Sequence, residues 1–136
     1  MAPERRPPDD PRMWLNRAKS NLARARADIR LSGVYLEDLC FDAQQAVEKA
    51  LKTVLVFHGI DFPKTHDIAE LLTLLNQSGQ RVPEEFWKAD ELTHYAVETR
   101  YPSEEEPVTE EEYREAVALA EKVVRWADES LSTSRE

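Results

Sequence analysis

The sequence predicts an all-α protein, an up-and-down antiparallel bundle of about five helices. Three observations predict it. Apolar residues recur at alternating spacings of three and four, the signature of one face of a helix. Gly33, Gly59 and Gly79 divide the chain, and all eight prolines fall outside the periodic stretches. No alternating segment is long enough to make a strand, and no internal repeat is present.

Residues 1–9, with Pro3, Pro7 and Pro8, read as a disordered leader. The helical domain is expected over 10–128. Helix one starts with Asp10 as N-cap and Pro11 at the first helical position, where a missing N–H costs nothing. Its buried stripe is Leu15, Ala18, Leu22, Ala25 and Ile29, and Leu31-Ser32-Gly33 turns it into helix two. That helix spans about Tyr35 to His58 and carries a wide apolar face: Leu36, Leu39, Cys40, Ala43, Ala46, Val47, Ala50, Leu51, Val54 and Leu55. Gly59 follows as a left-handed cap, and Pro63 blocks resumption. Helix three, Asp67 to Gln77, offers Ile68, Leu71, Leu72, Leu74 and Leu75 and stops at Ser78-Gly79. Helix four is expected from Pro83 towards Thr99, with Phe86, Leu92, Tyr95 and Ala96 inside, ended by Pro102. Helix five opens on a capping box, Thr109 with Glu112, and buries Tyr113, Val117, Ala120, Val124 and Ala127. Residues 129–136 turn polar and are expected to fray.

At 136 residues the chain fits one domain with one core. Its 41% hydrophobic and 33% charged composition is that of a folded globular protein. No apolar run approaches the roughly 20 residues of a membrane span, and the Pro-rich, charged start is unlike a signal peptide. The expected location is the cytoplasm, with no membrane partner. Cys40, the single cysteine, sits between Leu39 and Phe41 and reads as a small buried hydrophobe. A net charge of -9 opposes broad adhesion to nucleic acid. Basic residues nevertheless gather in helix one, at Arg17, Lys19, Arg24, Arg26 and Arg30, where a solvated face is the expected reading.

His58, His66 and His94 are not spaced from one another, or from Cys40, as metal ligands would be, so no metal and no cofactor is expected. Thr65-His66-Asp67 reads as a helix N-terminus, with Thr65 capping and Asp67 favoured by the dipole. Glu104 to Glu106 and Glu110 to Glu112 read as features of solubility and helix starts. Phosphate-cradling glycine loops and nucleophile elbows are absent from the sequence. One constellation stands out: Glu98-Thr99-Arg100-Tyr101-Pro102, where a helix gives way to a loop. Arg100 there could face a phosphate or carboxylate, and Tyr101 could stack on a base; equally, Arg100 could pair with a carboxylate while Tyr101 closes the bundle end.

Phe41-Asp42-Ala43-Gln44-Gln45-Ala46-Val47-Glu48-Lys49-Ala50-Leu51-Lys52 resembles the central helix of the HEPN domain family. Pro63-Lys64-Thr65-His66-Asp67-Ile68-Ala69-Glu70-Leu71-Leu72 resembles the family's approach to its third helix, and Thr99-Arg100-Tyr101-Pro102 its arginine-bearing corner. The three come in family order, and the resemblance spans about residues 12–128. It implies an all-helical bundle that forms homodimers with the arginine corners near a shared cleft. It also implies pairing with a minimal nucleotidyltransferase in a two-protein, toxin-antitoxin-like system.

Many members of that family are metal-independent ribonucleases, whose motif is an arginine followed after four to six residues by a histidine. After Arg100 those positions hold Glu105, Glu106 and Pro107. No arginine precedes His58, His66 or His94 at that interval either. A carboxylate in the histidine's place would repel a phosphate. The expectation is therefore a noncatalytic subunit binding nucleotide or another anion through Arg100 and Tyr101. Tyr101 is also the nearest counterpart of the tyrosine that, in some members, receives nucleotide from the partner. The alternatives are a ribonuclease toxin using Arg100 and a purely structural oligomerisation domain.

Overall fold

The computed structural model describes residues 9–26, 34–93 and 108–133. Within them lie α1 (Pro11–Ala25), α2 (Leu36–Phe57), α3 (Ile68–Gln77), a 3-10 helix (Glu84–Thr93) and α4 (Glu110–Thr133), and no strand. The fold is all-α, with five helices among the described residues.

Local chemistry sets the ends of these helices. Asp10 accepts the Arg12 N–H at 2.9 Å and Pro11 follows it, so α1 starts as the sequence predicts. At α4, Glu112 Oε1 accepts the Thr109 N–H at 3.2 Å and Thr109 Oγ1 accepts the Glu112 N–H at 3.1 Å, which completes the capping box. The C-termini of α2 and α3 share one geometry. Gly59 (φ 69°) and Gly79 (φ 85°) take the left-handed conformation. Beyond them, the Ile60 N–H reaches the Leu55 carbonyl at 2.9 Å and the Gln80 N–H reaches Leu75 at 3.0 Å, closing Schellman turns.

α3 starts where the sequence predicts within one residue, but its cap lies two residues later than expected. Asp67, not Thr65, is the N-cap, accepting the Glu70 N–H at 3.4 Å. Thr65 Oγ1 instead accepts the Asp67 N–H at 3.0 Å and so fixes the turn ahead of the cap.

Helix directions follow from which residues meet. Lys52 lies over the Trp14 ring, Lys49 bonds Asn21, and Arg24 faces Asp42, so α1 and α2 are antiparallel. Arg26 meets Glu121 and Lys19 meets Asp128, so α4 also runs against α1. The 3-10 helix packs on α4, with Phe86 edge-on to Trp126 at 5.5 Å and Lys122 Nζ donating to Glu85 Oε2 at 3.2 Å.

The core is the predicted set with instructive exceptions. Leu15, Ala18, Leu22, Ala25 and the α2 stripe from Leu39 to Leu55 are buried, as are Ile68, Leu71, Leu72 and Leu75. Cys40 is buried and is not in a disulfide. Val117 is only partly buried, and Ala116, Val123 and Leu131 join the core instead. The fourth element is a 3-10 helix where an α-helix is expected. Its inward residues, Phe86, Ala89 and Leu92, are spaced by three, and three residues per turn places them on one face. Likewise α4 continues through Thr133, beyond the expected end at 128, because Leu131 is buried against the bundle. Ile29, the 31–33 turn, Tyr95 and Ala96 lie outside the described residues.

No described helix is long and apolar enough to cross a membrane.

Candidate functional site

α2 is apolar on most of its surface, yet Gln44, Gln45, Glu48, Lys52 and Thr53 are buried with it. Gln44, Glu48 and Lys52 recur every fourth residue, which stacks them on one face. Burying a lone carboxylate costs several kcal/mol, so a partner set must exist for Glu48, which is only 2% exposed. Glu48 Oε2 accepts from Lys52 Nζ at 2.9 Å. Glu48 Oε1 lies 2.8 Å from His66 Nδ1 and accepts from Gln44 Nε2 at 3.2 Å.

The remaining donors are also placed. Lys52 Nζ donates to the Thr65 carbonyl at 3.1 Å and sits 5.5 Å and 5.7 Å from the ring centroids of Trp14 and Phe62. Gln44 Nε2 reaches the His66 carbonyl at 3.4 Å, and Gln45 Nε2 donates to Gln44 Oε1 at 2.7 Å. Among the described residues no buried side-chain nitrogen or oxygen lacks a partner. This network clamps residues 65–66 onto the middle of α2 and thereby sets where α3 begins.

Its chemistry is that of an anchor. Both Glu48 oxygens are engaged by side chains of the fold, and the carboxylate is buried away from solvent. His66, with 55% of its side chain exposed, is oriented by Glu48 as carboxylates orient imidazoles elsewhere. His58 is exposed, its ring edge-on to Phe57 at 5.1 Å. His94 lies outside the described residues.

A second polar layer lies along the α1–α2 seam. Asn21 Nδ2 donates to Asp42 Oδ1 at 3.1 Å, and Lys49 Nζ donates to Asn21 Oδ1 at 2.8 Å. Arg24 Nε stands 3.5 Å from Asp42 Oδ1. Burial lowers the Lys49 pKa from the usual lysine value; Arg17 and Lys52 push the same way, against Glu48 and Asp42. Most of the basic face of helix one is thus paired, through Lys19, Arg24 and Arg26. Arg30 is outside the described residues.

No group of three or more His, Cys, Asp or Glu side chains among the described residues could hold a metal ion. Arg100 and Tyr101, the residues singled out by the sequence, lie outside the described residues. The flanking chain is fixed at two points: Thr93 Oγ1 accepts the Ile68 N–H at 3.2 Å, and the Val108 N–H donates to Glu37 Oε1 at 3.2 Å.

The HEPN domain family model matches residues 11–130. The chain belongs to the HEPN family. Its fold is similar to the crystal structure of ST0689, an archaeal HEPN homologue, at 30% identity and a TM-score of 0.69, over 89% of this chain and 97% of that one. It is also similar to TT1696 from Thermus thermophilus, at 33% identity and a TM-score of 0.71, over 88% of this chain and 96% of that one. No curated protein matches the chain.

The HEPN match contains every residue of the buried network. Sequence reasoning placed its segments through the resemblance but passed over the pairing of Glu48 with Lys52 and His66. A signal was there to read: Glu48 and Lys52 stand four apart on the central helix, among residues of its apolar face, and a charge buried there demands a partner.

Proposed function

We propose that this HEPN domain is a noncatalytic subunit that homodimerises, serves a nucleotidyltransferase partner, and binds a nucleotide or other anion through Arg100 and Tyr101. One observation carries the reading: Arg100 is present in its sequence context, while Glu105, Glu106 and Pro107 occupy the positions where the ribonuclease motif requires histidine. Proton transfer at a scissile phosphate needs an acid or base within hydrogen-bond reach, and an arginine alone supplies charge stabilisation only.

Binding of adenosine triphosphate and of a nucleotidyltransferase partner is the test. Arg100→Ala is expected to weaken nucleotide binding by about tenfold or more, the worth of one charge-assisted hydrogen bond. Unchanged binding of both ligand and partner would remove the site. Solution mass reads the dimer separately, and a strict monomer at micromolar concentration would remove that part. RNA cleavage that is lost in Arg100→Ala would favour the ribonuclease toxin instead. If no nucleotide shifts the melting temperature, the domain is an oligomerisation module.

A further inference from the structure

We propose that His66 Nε2 is a phosphoryl-acceptor site, a nucleophile that the buried Glu48 activates and that takes its phosphoryl group from a small phosphoramidate or acyl phosphate. Arg100 and Tyr101 take no part in it, so it stands or falls apart from the nucleotide reading.

The tautomer of the ring follows from what surrounds Glu48. Its Oε2 accepts from Lys52 Nζ at 2.9 Å, and its Oε1 accepts from Gln44 Nε2 at 3.2 Å. A carboxylate paired with an ammonium only accepts, so His66 Nδ1, 2.8 Å from Oε1, is the donor. In the neutral ring the proton then sits on Nδ1 and the lone pair on Nε2. Among the described residues, Nε2 has no hydrogen-bond partner.

Placement reinforces the activation. The His66 side chain is 55% exposed while that of Glu48 is buried, so the ring is open to a solute and its activating charge is sheltered from water. The backbone beneath the ring is fixed as well. Lys52 Nζ donates to the Thr65 carbonyl at 3.1 Å, Gln44 Nε2 to the His66 carbonyl at 3.4 Å, and the Asp67 N–H to Thr65 Oγ1 at 3.0 Å. A nucleophile already held in one orientation loses little freedom on reaction. His58 supplies the contrast within the same chain: it is exposed too, but no carboxylate among the described residues pairs with it.

In the transfer step the Nε2 lone pair attacks phosphorus and forms an N–P bond. The donor's P–N bond, or its P–O bond to the acyl group, breaks, and the electron pair leaves with ammonia or with the carboxylate. Nδ1 keeps its proton, and the positive charge that the ring gains is offset by Glu48. Nothing is oxidised or reduced. An acyl group on imidazole hydrolyses quickly in an open site, whereas a phosphoryl group on nitrogen persists. Its charge also falls one residue ahead of Asp67, the N-cap of α3, where the helix dipole favours an anion. The Asp67 carboxylate itself is committed to the Glu70 N–H at 3.4 Å.

The test incubates the full chain with potassium phosphoramidate and, in a parallel arm, with acetyl phosphate, and maps N–P adducts by mass spectrometry at alkaline pH. Phosphorus NMR tells Nε2 from Nδ1. His66 Nε2 is expected to be phosphorylated about tenfold faster than His58, and Glu48→Gln, which keeps the shape and removes the charge, to slow it about tenfold. His66→Gln should abolish that adduct, and Arg100→Ala should leave it. If circular dichroism shows that Glu48→Gln does not fold, the ratio of His66 to His58 in the parent decides the matter. Transfer from one donor alone assigns that class, and transfer from both admits both. No adduct, equal rates at His58 and His66, an adduct on Nδ1, or an unchanged rate in folded Glu48→Gln would overturn the proposal.

Discussion

His66 Nδ1 lies 2.8 Å from Glu48 Oε1, which joins the chain just ahead of α3 to the centre of α2. With Lys52 on the other carboxylate oxygen, Glu48 is the hub of the buried polar network, and its removal leaves a buried ammonium behind. Glu48→Ala is therefore expected to cost about 3–5 kcal/mol, read from urea unfolding. The paired replacement Glu48→Leu with Lys52→Met should recover most of that loss, because it removes both charges together. A single-variant loss below about 1 kcal/mol would mean that the pair is not desolvated as described.

The phenol of Tyr113 donates to the Ala25 carbonyl across the α1–α4 contact. Tyr113→Phe keeps the ring and orphans that carbonyl, with an expected loss of about 1–2 kcal/mol. Burial raises the Tyr113 pKa above the usual tyrosine value, and the nearby Cys40 adds to the shift. The folded state thus holds the phenolic proton more tightly than the unfolded chain does. Its contribution is complete below about pH 10 and falls as pH rises through the higher folded value. The stability difference between parent and Tyr113→Phe should narrow above about pH 10, and a gap that widens there would contradict the assignment.

Gly59 and Gly79 test the helix ends. A Cβ added at either would meet nothing within 4 Å, so substitution costs only backbone strain at positive φ. Gly59→Ala and Gly79→Ala should each lose about 1–2 kcal/mol by thermal or urea unfolding. A neutral result at either would show that the left-handed turn is not required there.

Thr109→Ala removes half of the α4 capping box and should cost about 1 kcal/mol. Thr109→Ser, which keeps the hydroxyl, should stay close to the parent. Equal losses in the two variants would assign the effect to packing of the threonine methyl and away from the cap.

How much of this was legible in the sequence depends on the range over which each feature acts. The caps at Asp10 and Thr109 and the turns at Gly59 and Gly79 are decided by neighbours within one helical turn, and the sequence predicts them all. The 3-10 helix was not legible, because its form depends on Phe86, Ala89 and Leu92 pressing together onto other parts of the bundle. Extension of α4 through Thr133 rests on burial of Leu131, a tertiary contact that a polar C-terminal stretch conceals. In the candidate site, the i to i+4 pair of Glu48 and Lys52 is local and could have been read. Its connection to His66 is not, since the two residues are joined only by the path of the chain around Gly59 and Pro63.

The anchor on α2 also constrains what substitutions the fold can accept. Gln44, Glu48, Lys52 and His66 each complete a neighbour's hydrogen bonding, so a change at one position leaves a buried donor or acceptor unmet until a second change restores the match. Across relatives that share this bundle, these four positions should vary as a coordinated set, and the order in which changes can accumulate should be restricted. Independent variation among them would show that other residues can take over the hub.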